Sequence, residues 1–172
     1  IFLRELMGVD NPKVALLNIG SEAHKGTGLV RNTYKKLSEM DVNFVGNVEG
    51  NEIYTDMTDV IVADAMLGNT ALKVMEGAGK TLMYLLKDVI KNNKMAKYAL
   101  PLYAKALKKL KGLVDPEMYG GAPLLGVRGN IFIGHGTSGR EAIMNGILKA
   151  ADAVRADVLG KINRRLEELK LR

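Results

Sequence analysis

Four polar, glycine-containing segments of this 172-residue chain hold the residue types that can act on an anion or a carbonyl. In Gly20-Ser21-Glu22-Ala23-His24-Lys25-Gly26-Thr27-Gly28 a cation stands among glycines just ahead of a helical pattern. That arrangement suits phosphate or another oxyanion; the plainer reading of Lys25 alone is a solvated loop lysine. Gly46-Asn47-Val48-Glu49-Gly50 is a short polar turn. In Asp64-Ala65-Met66-Leu67-Gly68-Asn69-Thr70, Asn69 or Thr70 can cap a helix through its side-chain oxygen. The Asn69 amide can equally donate to a developing oxyanion. In Gly134-His135-Gly136-Thr137-Ser138-Gly139 the glycines let a ligand approach His135, and Ser138 is a candidate helix N-cap. Neither the Walker A spacing nor GxGxxG is present, and no Gly-x-Ser-x-Gly elbow makes Ser138 a hydrolase nucleophile.

The elements that must position these segments follow from periodicity. Lys13 to Gly20 is a short apolar run bounded by Pro12, Val42 to Gly46 a second and Asp59 to Ala63 a third. All three have the pattern of strands buried on both faces. A helical pattern over Gly26 to Met40 separates the first two, which implies a parallel crossover. In such sheets ligands gather at the carboxyl ends of the strands, where the polar segments fall. From Thr70 the stripe Leu72, Met75, Ala78, Leu82, Leu85, Leu86, Val89 and Ile90 predicts an amphipathic helix with Asn69 at its N-terminus, broken at Asn92-Asn93. A second amphipathic stretch surrounds Pro101, so residues 80–112 are expected to form a protruding helical hairpin. Gly120 to Pro123 is expected as a loop, Asn130 to Ile133 as a strand, and Ser138 to about Leu169 as one long helix. The expected fold class is α/β, three-layer α/β/α with a mostly parallel sheet.

Composition bounds the function. With no cysteine there is no disulfide framework, thiolate metal site or cysteine acyl-enzyme, and the two histidines, His24 and His135, lie far apart in sequence. The reading therefore calls for no metal and no cofactor. No run approaches the roughly 20 apolar residues of a membrane-spanning helix. The chain starts at Ile1 within a helical pattern, and the expectation is a C-terminal piece of a longer protein. The net charge of +6 is concentrated: nine lysines against the single acid Asp88 lie between Lys80 and Gly112. Charge confined to one amphipathic segment, with no aromatic stacking platform, argues against nucleic acid.

Taken together, Leu16-Leu17-Asn18-Ile19-Gly20, Lys25-Gly26, Asn43 to Gly50, Gly68-Asn69 with Leu72-Lys73 and Glu76-Gly77, Tyr119 to Gly126, and His135-Gly136 with Ser138 closely resemble the phosphate acyltransferase family, in order and over nearly the whole chain. The resemblance implies the C-terminal half of that family's chain. It implies a fold like that of phosphotransacetylases and isocitrate dehydrogenases, and a homodimer. The implied activity is transfer of a long-chain acyl group from acyl carrier protein to inorganic phosphate, the acyl phosphate then serving a membrane glycerol-3-phosphate acyltransferase in phospholipid synthesis. The family's catalytic lysine and asparagine fall on Lys25 and Asn69. Asn47, Asp64, Gly68, His135 and Ser138 are expected to complete a substrate pocket. Phosphate is itself the nucleophile, so no acylated side chain is needed.

Two departures stand out: Asp64-Ala65-Met66 replaces the family's usual Asp-Gly-Phe, leaving acyl preference open, and His24 and Thr27 differ from the commonest forms around the lysine. The family's peripheral membrane location implies a cytoplasmic enzyme that touches anionic lipid. Lys87, Lys91, Lys105, Lys108 and Lys109 of the basic hairpin are the expected contact, for membrane or for acidic carrier protein. The competing readings are phosphotransacetylase-like transfer involving coenzyme A, and a non-catalytic, dimerising, membrane-binding remnant.

Overall fold

The computed structural model describes residues 1–55, 57–114 and 120–170; the side chains at 97, 108, 110–114, 169 and 170 lie outside that description, as does Tyr119. The chain divides into two compact units, Phe2–Leu72 and, with Ile1, Lys73–Arg172.

The first unit is a parallel sheet with helices. After helix α1 (Phe2–Met7), strand β1 (Val14–Leu17) takes the central place between β2 (Phe44–Val48) and β3 (Val60–Val62), in the order β2-β1-β3 and parallel throughout. Ala15, Leu16 and Leu17 are buried, as a strand flanked by neighbours and covered on its faces requires. Helix α2 (Gly28–Glu39) connects β1 to β2 and starts at Thr27, whose Oγ1 accepts from Val30 N. Tyr34 of α2 meets Phe44 of β2 edge-on, with ring centroids 5.1 Å apart. The second strand starts and ends later than its hydrophobic run predicts. The register shifts between Val14 and Ala15, Gly46 has φ of +102°, and the strand continues through Asn47 to Val48, which is buried. A bulge thus carries Asn47 into the sheet rather than into a loop.

Helix α3 runs from Ala65 to Asn92 and begins five residues before the position expected from periodicity. Asp64 is the reason: its Oδ1 accepts from Met66 N and Leu67 N, at 3.0 and 3.2 Å, and Gly68 N already bonds to Asp64 O. Gly68, which looks like a breaker, sits inside the helix, where a Cβ would lie only 3.3 Å from the Ala63 Cβ.

In the second unit α3 is followed, after Asn93 alone, by α4 (Lys94–Val114), with Asn93 Oδ1 accepting from Ala96 N. Pro101 lies inside α4. Gly120 to Pro123 is not all loop: β4 (Ala122–Pro123) pairs antiparallel with β5 (Phe132–Ile133), so the strand expected near Asn130 belongs to a separate two-stranded sheet. The long C-terminal helix is two helices, α5 (Arg140–Arg155) and α6 (Val158–Lys170). They part at Asp157, whose φ of 50° ends one helix and whose carbonyl accepts from Lys161 N in the next. Ala142 and Ala153 of α5 and Val158 of α6 are buried. Gly120, at φ +71°, packs so closely on Gly146 of α5 that a Cβ would strike the Gly146 amide. The α/β class expected from the sequence is therefore observed, with helices around a parallel three-stranded sheet.

Candidate functional site

Three segments leave the carboxyl ends of β1, β2 and β3, and parallel pairing puts those ends on one edge of the sheet. The β1 segment carries Lys25. It is anchored by Asn18, the one buried polar residue among the described positions, 7% exposed at the end of β1. Asn18 N donates to Val48 O, its Oδ1 accepts from Ile19 N at 2.8 Å, and its Nδ2 donates to Lys25 O at 3.2 Å. A single buried amide therefore holds the main chain of the candidate catalytic lysine. Gly26, at φ +84°, completes the turn, and a Cβ there would come within 2.5 Å of Asn18 Oδ1. The side chain of Lys25 is about half buried, with Glu22 Oε1 3.9 Å from its ammonium. A pair of that length and exposure is worth little, about 0–1 kcal/mol, so the ammonium is free to serve an anion.

Asn47 ties β2 to the same segment: its Nδ2 donates to Glu22 O at 2.9 Å and, more weakly, to Ser21 O at 3.4 Å. Its Oδ1 is buried and takes no hydrogen bond from the described residues. From β3, Asp64 caps α3 as described, so one of its carboxylate oxygens is committed to the helix N-terminus. Asn69 lies in the second turn of α3 and is exposed. Its role as N-cap is thus taken by Asp64, and its amide is left to face solvent. Among the site residues expected from the sequence, Lys25, Asn47, Asp64, Gly68 and Asn69 all belong to the Phe2–Leu72 unit.

His135 and Ser138 belong to the other unit, in the loop between β5 and α5. Ser138 is not the N-cap of α5; that position is Gly139, without a side-chain cap. Instead Ser138 Oγ accepts from His135 N at 3.0 Å while Ser138 N donates to His135 O at 2.9 Å, a reciprocal pair that closes the turn around the histidine. Two residues that the sequence reading did not place in the site join this loop. Lys73 Nζ lies 3.3 Å from His135 Nε2 and 3.0 Å from Glu76 Oε2. The hydrogen bond from Lys73 holds the Glu76 carboxyl below the usual glutamate range, helped by the charges of Lys73, His135 and Lys80 and opposed by partial desolvation. The Lys73-x-x-Glu76 spacing on one helical face was a legible signal; the contact with His135, 62 residues away, was not.

Of the basic residues expected at a membrane or carrier surface, Lys87 and Lys91 stand exposed on α3 and Lys105 and Lys109 on α4, while the Lys108 side chain lies outside the described residues. Leu82, Leu85 and Val89 of α3 and Met95, Tyr98, Leu102 and Tyr103 of α4 are exposed beside them. No helix among the described residues is long and apolar enough to cross a membrane. Likewise, no group of three or more histidines and acids among the described residues is placed to hold a metal ion.

The fold and this edge define a class: an α/β protein with a lysine on a polar loop, and amides on the neighbouring strand and helix, at the carboxyl edge of a parallel sheet, an arrangement suited to oxyanions. The particular family follows from comparison. Residues 1–161 match the family described as fatty acid synthesis protein, and the chain belongs to it. It is 40% identical over 171 residues to the phosphate acyltransferase of Acetivibrio thermocellus, covering 99% of this chain and 50% of that protein. It is 43% identical over 164 residues to the phosphate acyltransferase of Clostridium perfringens strain SM101, covering 95% and 48%. With that of Acidobacterium capsulatum it shares 43% identity over 158 residues, covering 92% and 47%. The chain spans about half the length of the curated relatives it matches, all three of them named as acyltransferases.

Proposed function

We propose that the chain forms part of an enzyme that transfers a long-chain acyl group from acyl carrier protein to inorganic phosphate, giving the acyl phosphate that a membrane glycerol-3-phosphate acyltransferase consumes in phospholipid synthesis. The observation that carries this reading is the Lys25 segment, a cation on glycine-rich backbone anchored by Asn18 and Asn47 at the carboxyl edge of the sheet. Lys25 holds phosphate or the tetrahedral oxyanion, and the Asn69 amide orients the thioester oxygen; both groups lower the barrier by position and charge, without a covalent enzyme intermediate. Asn47, Asp64 and Gly68 shape the same edge. The His135–Ser138 loop is a second polar element for the substrate, as an anion contact or as proton donor to the leaving thiol. The homodimer and the phosphotransacetylase-like fold belong to the same proposal.

The lysines of α3 and α4, exposed beside apolar side chains, support a reversible contact of a cytoplasmic enzyme with anionic lipid. Each basic residue near such a surface contributes about 1 kcal/mol. Vesicles rich in anionic lipid are expected to bind the chain, and charge reversal at Lys87, Lys91, Lys105 and Lys109 to release it. Equal binding by the reversed variant would remove the membrane contact and leave carrier docking as the use of these lysines.

Substrate class is tested by offering phosphate with either palmitoyl-acyl carrier protein or acetyl coenzyme A, and trapping acyl phosphate with hydroxylamine. The chain is assayed alone and mixed with the remaining half of its Acetivibrio thermocellus relative. Palmitoyl hydroxamate in either mixture is the expected result. Turnover of acetyl coenzyme A alone would establish the phosphotransacetylase-like alternative, and turnover of neither would leave a binding remnant.

A further inference from the structure

The Lys25 segment sets a carboxylate beside its ammonium. Glu22 Oε1 lies 3.9 Å from Lys25 Nζ, and Lys25 is that carboxylate's one partner among the described residues, at ion-pair and not hydrogen-bond distance. The placement is built into the loop. Glu22 O accepts from Lys25 N at 3.1 Å and from Asn47 Nδ2 at 2.9 Å, so the main chain at Glu22 is fixed both to its own turn and to β2. Gly20 makes room for the two side chains: a Cβ there would come within 3.0 Å of Glu22 Oε2 and 3.2 Å of Lys25 Cγ. Side-chain exposures of 42% for Lys25 and 54% for Glu22 leave both head groups open to a ligand.

An ammonium can only donate a hydrogen bond and an ionised carboxylate can only accept one. A fully deprotonated oxyanion satisfies the first group and is repelled by the second. Phosphate near neutral pH still carries at least one proton, so one of its oxygens can accept from Lys25 while another donates to Glu22. We propose that Glu22 is a specificity residue of the Lys25 site, admitting a protonated oxyanion such as phosphate and turning away sulfate, a tetrahedral ion with no proton to give. The inference rests on the reading that Lys25 holds phosphate. Nζ and Oε1 stand too far apart to satisfy each other, yet near enough for one tetrahedral ion to reach both. Discrimination comes from the unpaired carboxylate acting against the wrong ion more than from added attraction for the right one. In acyl transfer, the same selection keeps sulfate from occupying the lysine as a competing ion.

Phosphate and sulfate are titrated separately into the chain at neutral pH, with ionic strength held by chloride, and binding is read from the amide shifts of Lys25 and Gly26 in isotope-labelled protein. The unaltered chain is expected to bind phosphate about tenfold or more tightly than sulfate, the scale of one hydrogen bond to a charged group. Glu22→Gln, whose amide can donate as well as accept, is expected to bring the ratio close to one, mainly by strengthening sulfate. Lys25→Ala is expected to lose both ions. Equal binding of the two ions, no phosphate binding at these amides, a ratio that Glu22→Gln leaves unmoved, or retention of either ion by Lys25→Ala overturns the proposal. Should a variant fail to fold, the unaltered chain still decides through the first two outcomes. Failure of the acyl-transfer reading looks different: selective phosphate binding without turnover leaves this inference standing, whereas turnover at an unselective site removes this inference alone.

Discussion

The Phe2–Leu72 unit and the unit that follows it bury different things. In the first, a central strand contributes Ala15, Leu16 and Leu17 to the core, and the buried amide of Asn18 turns that rigidity into a fixed loop. In the second, the buried apolar residues among those described are Ala142, Ala153 and Val158, all small or medium, while long apolar side chains on α3, α4 and α5 face outward. Main-chain ladders need only neighbouring strands to be satisfied, whereas an amphipathic helix is stabilised mainly by whatever covers its apolar stripe. Order therefore resides at the sheet edge, where the buried Asn18 amide holds the main chain of Lys25. The helices offer surface, suited to contacts that can form and break.

The largest expected difference between the units is in stability. Leu16→Ala removes a side chain that is 3% exposed and should cost about 2–5 kcal/mol in urea unfolding. Leu85→Ala, on the outer surface of α3, should change the same transition by about 0.5 kcal/mol or less. Comparable losses would mean that the α3 stripe is already covered. The glycines give the next contrast. Gly26→Ala must strain a left-handed backbone and push against Asn18 Oδ1, for about 1–3 kcal/mol. Gly136→Ala in the His135 loop meets nothing within 4 Å and should be near neutral by the same assay.

Helix caps come third. Thr27→Ala and Asp64→Ala each remove a side-chain acceptor at a helix start and should cost about 1 kcal/mol apiece, read from thermal melts. The smallest effect is that of pH on the Lys73–Glu76 pair. Its folded pKa is lowered, so the stabilisation is complete above the pKa of an unfolded glutamate, about 4.3, and fades as pH falls through the lower folded value. Glu76→Gln should therefore flatten the acid limb of the stability curve slightly and leave the neutral region unshifted in slope.

Much of the first unit was legible because its signals are local. Apolar runs ended by Pro12 and Gly20 marked β1, and the helical pattern from Gly26 to Met40 marked α2, although Thr27 as its cap went unread. The misplaced boundaries share a cause: one residue type serving two purposes. Gly68 was read as part of the segment before the helix yet packs inside α3, and Gly46 resembled a loop yet forms a bulge that carries Asn47 into the sheet. Asp157 gave no warning of the break between α5 and α6, since an aspartate at positive φ is a choice made by the surrounding fold. Lys25, Asn47 and Asn69 were singled out from glycine-rich context and family resemblance. Asn18 was quoted only as part of a motif, because its anchoring role depends on a carbonyl seven residues away. Lys73 escaped for the same reason at longer range.

The central claim is that the loops at the sheet edge carry acyl transfer to phosphate, and one assay addresses it directly. Hydroxylamine-trapped acyl phosphate is measured from palmitoyl-acyl carrier protein and phosphate, with Lys25→Ala and Asn69→Ala set beside the unaltered chain in whichever mixture turns over. The account predicts a loss of about 100-fold or more in each variant, the scale of removing one donor to a developing oxyanion, with unfolding midpoints unchanged. Variants that fold and retain full turnover would contradict it and move the chemistry away from these loops.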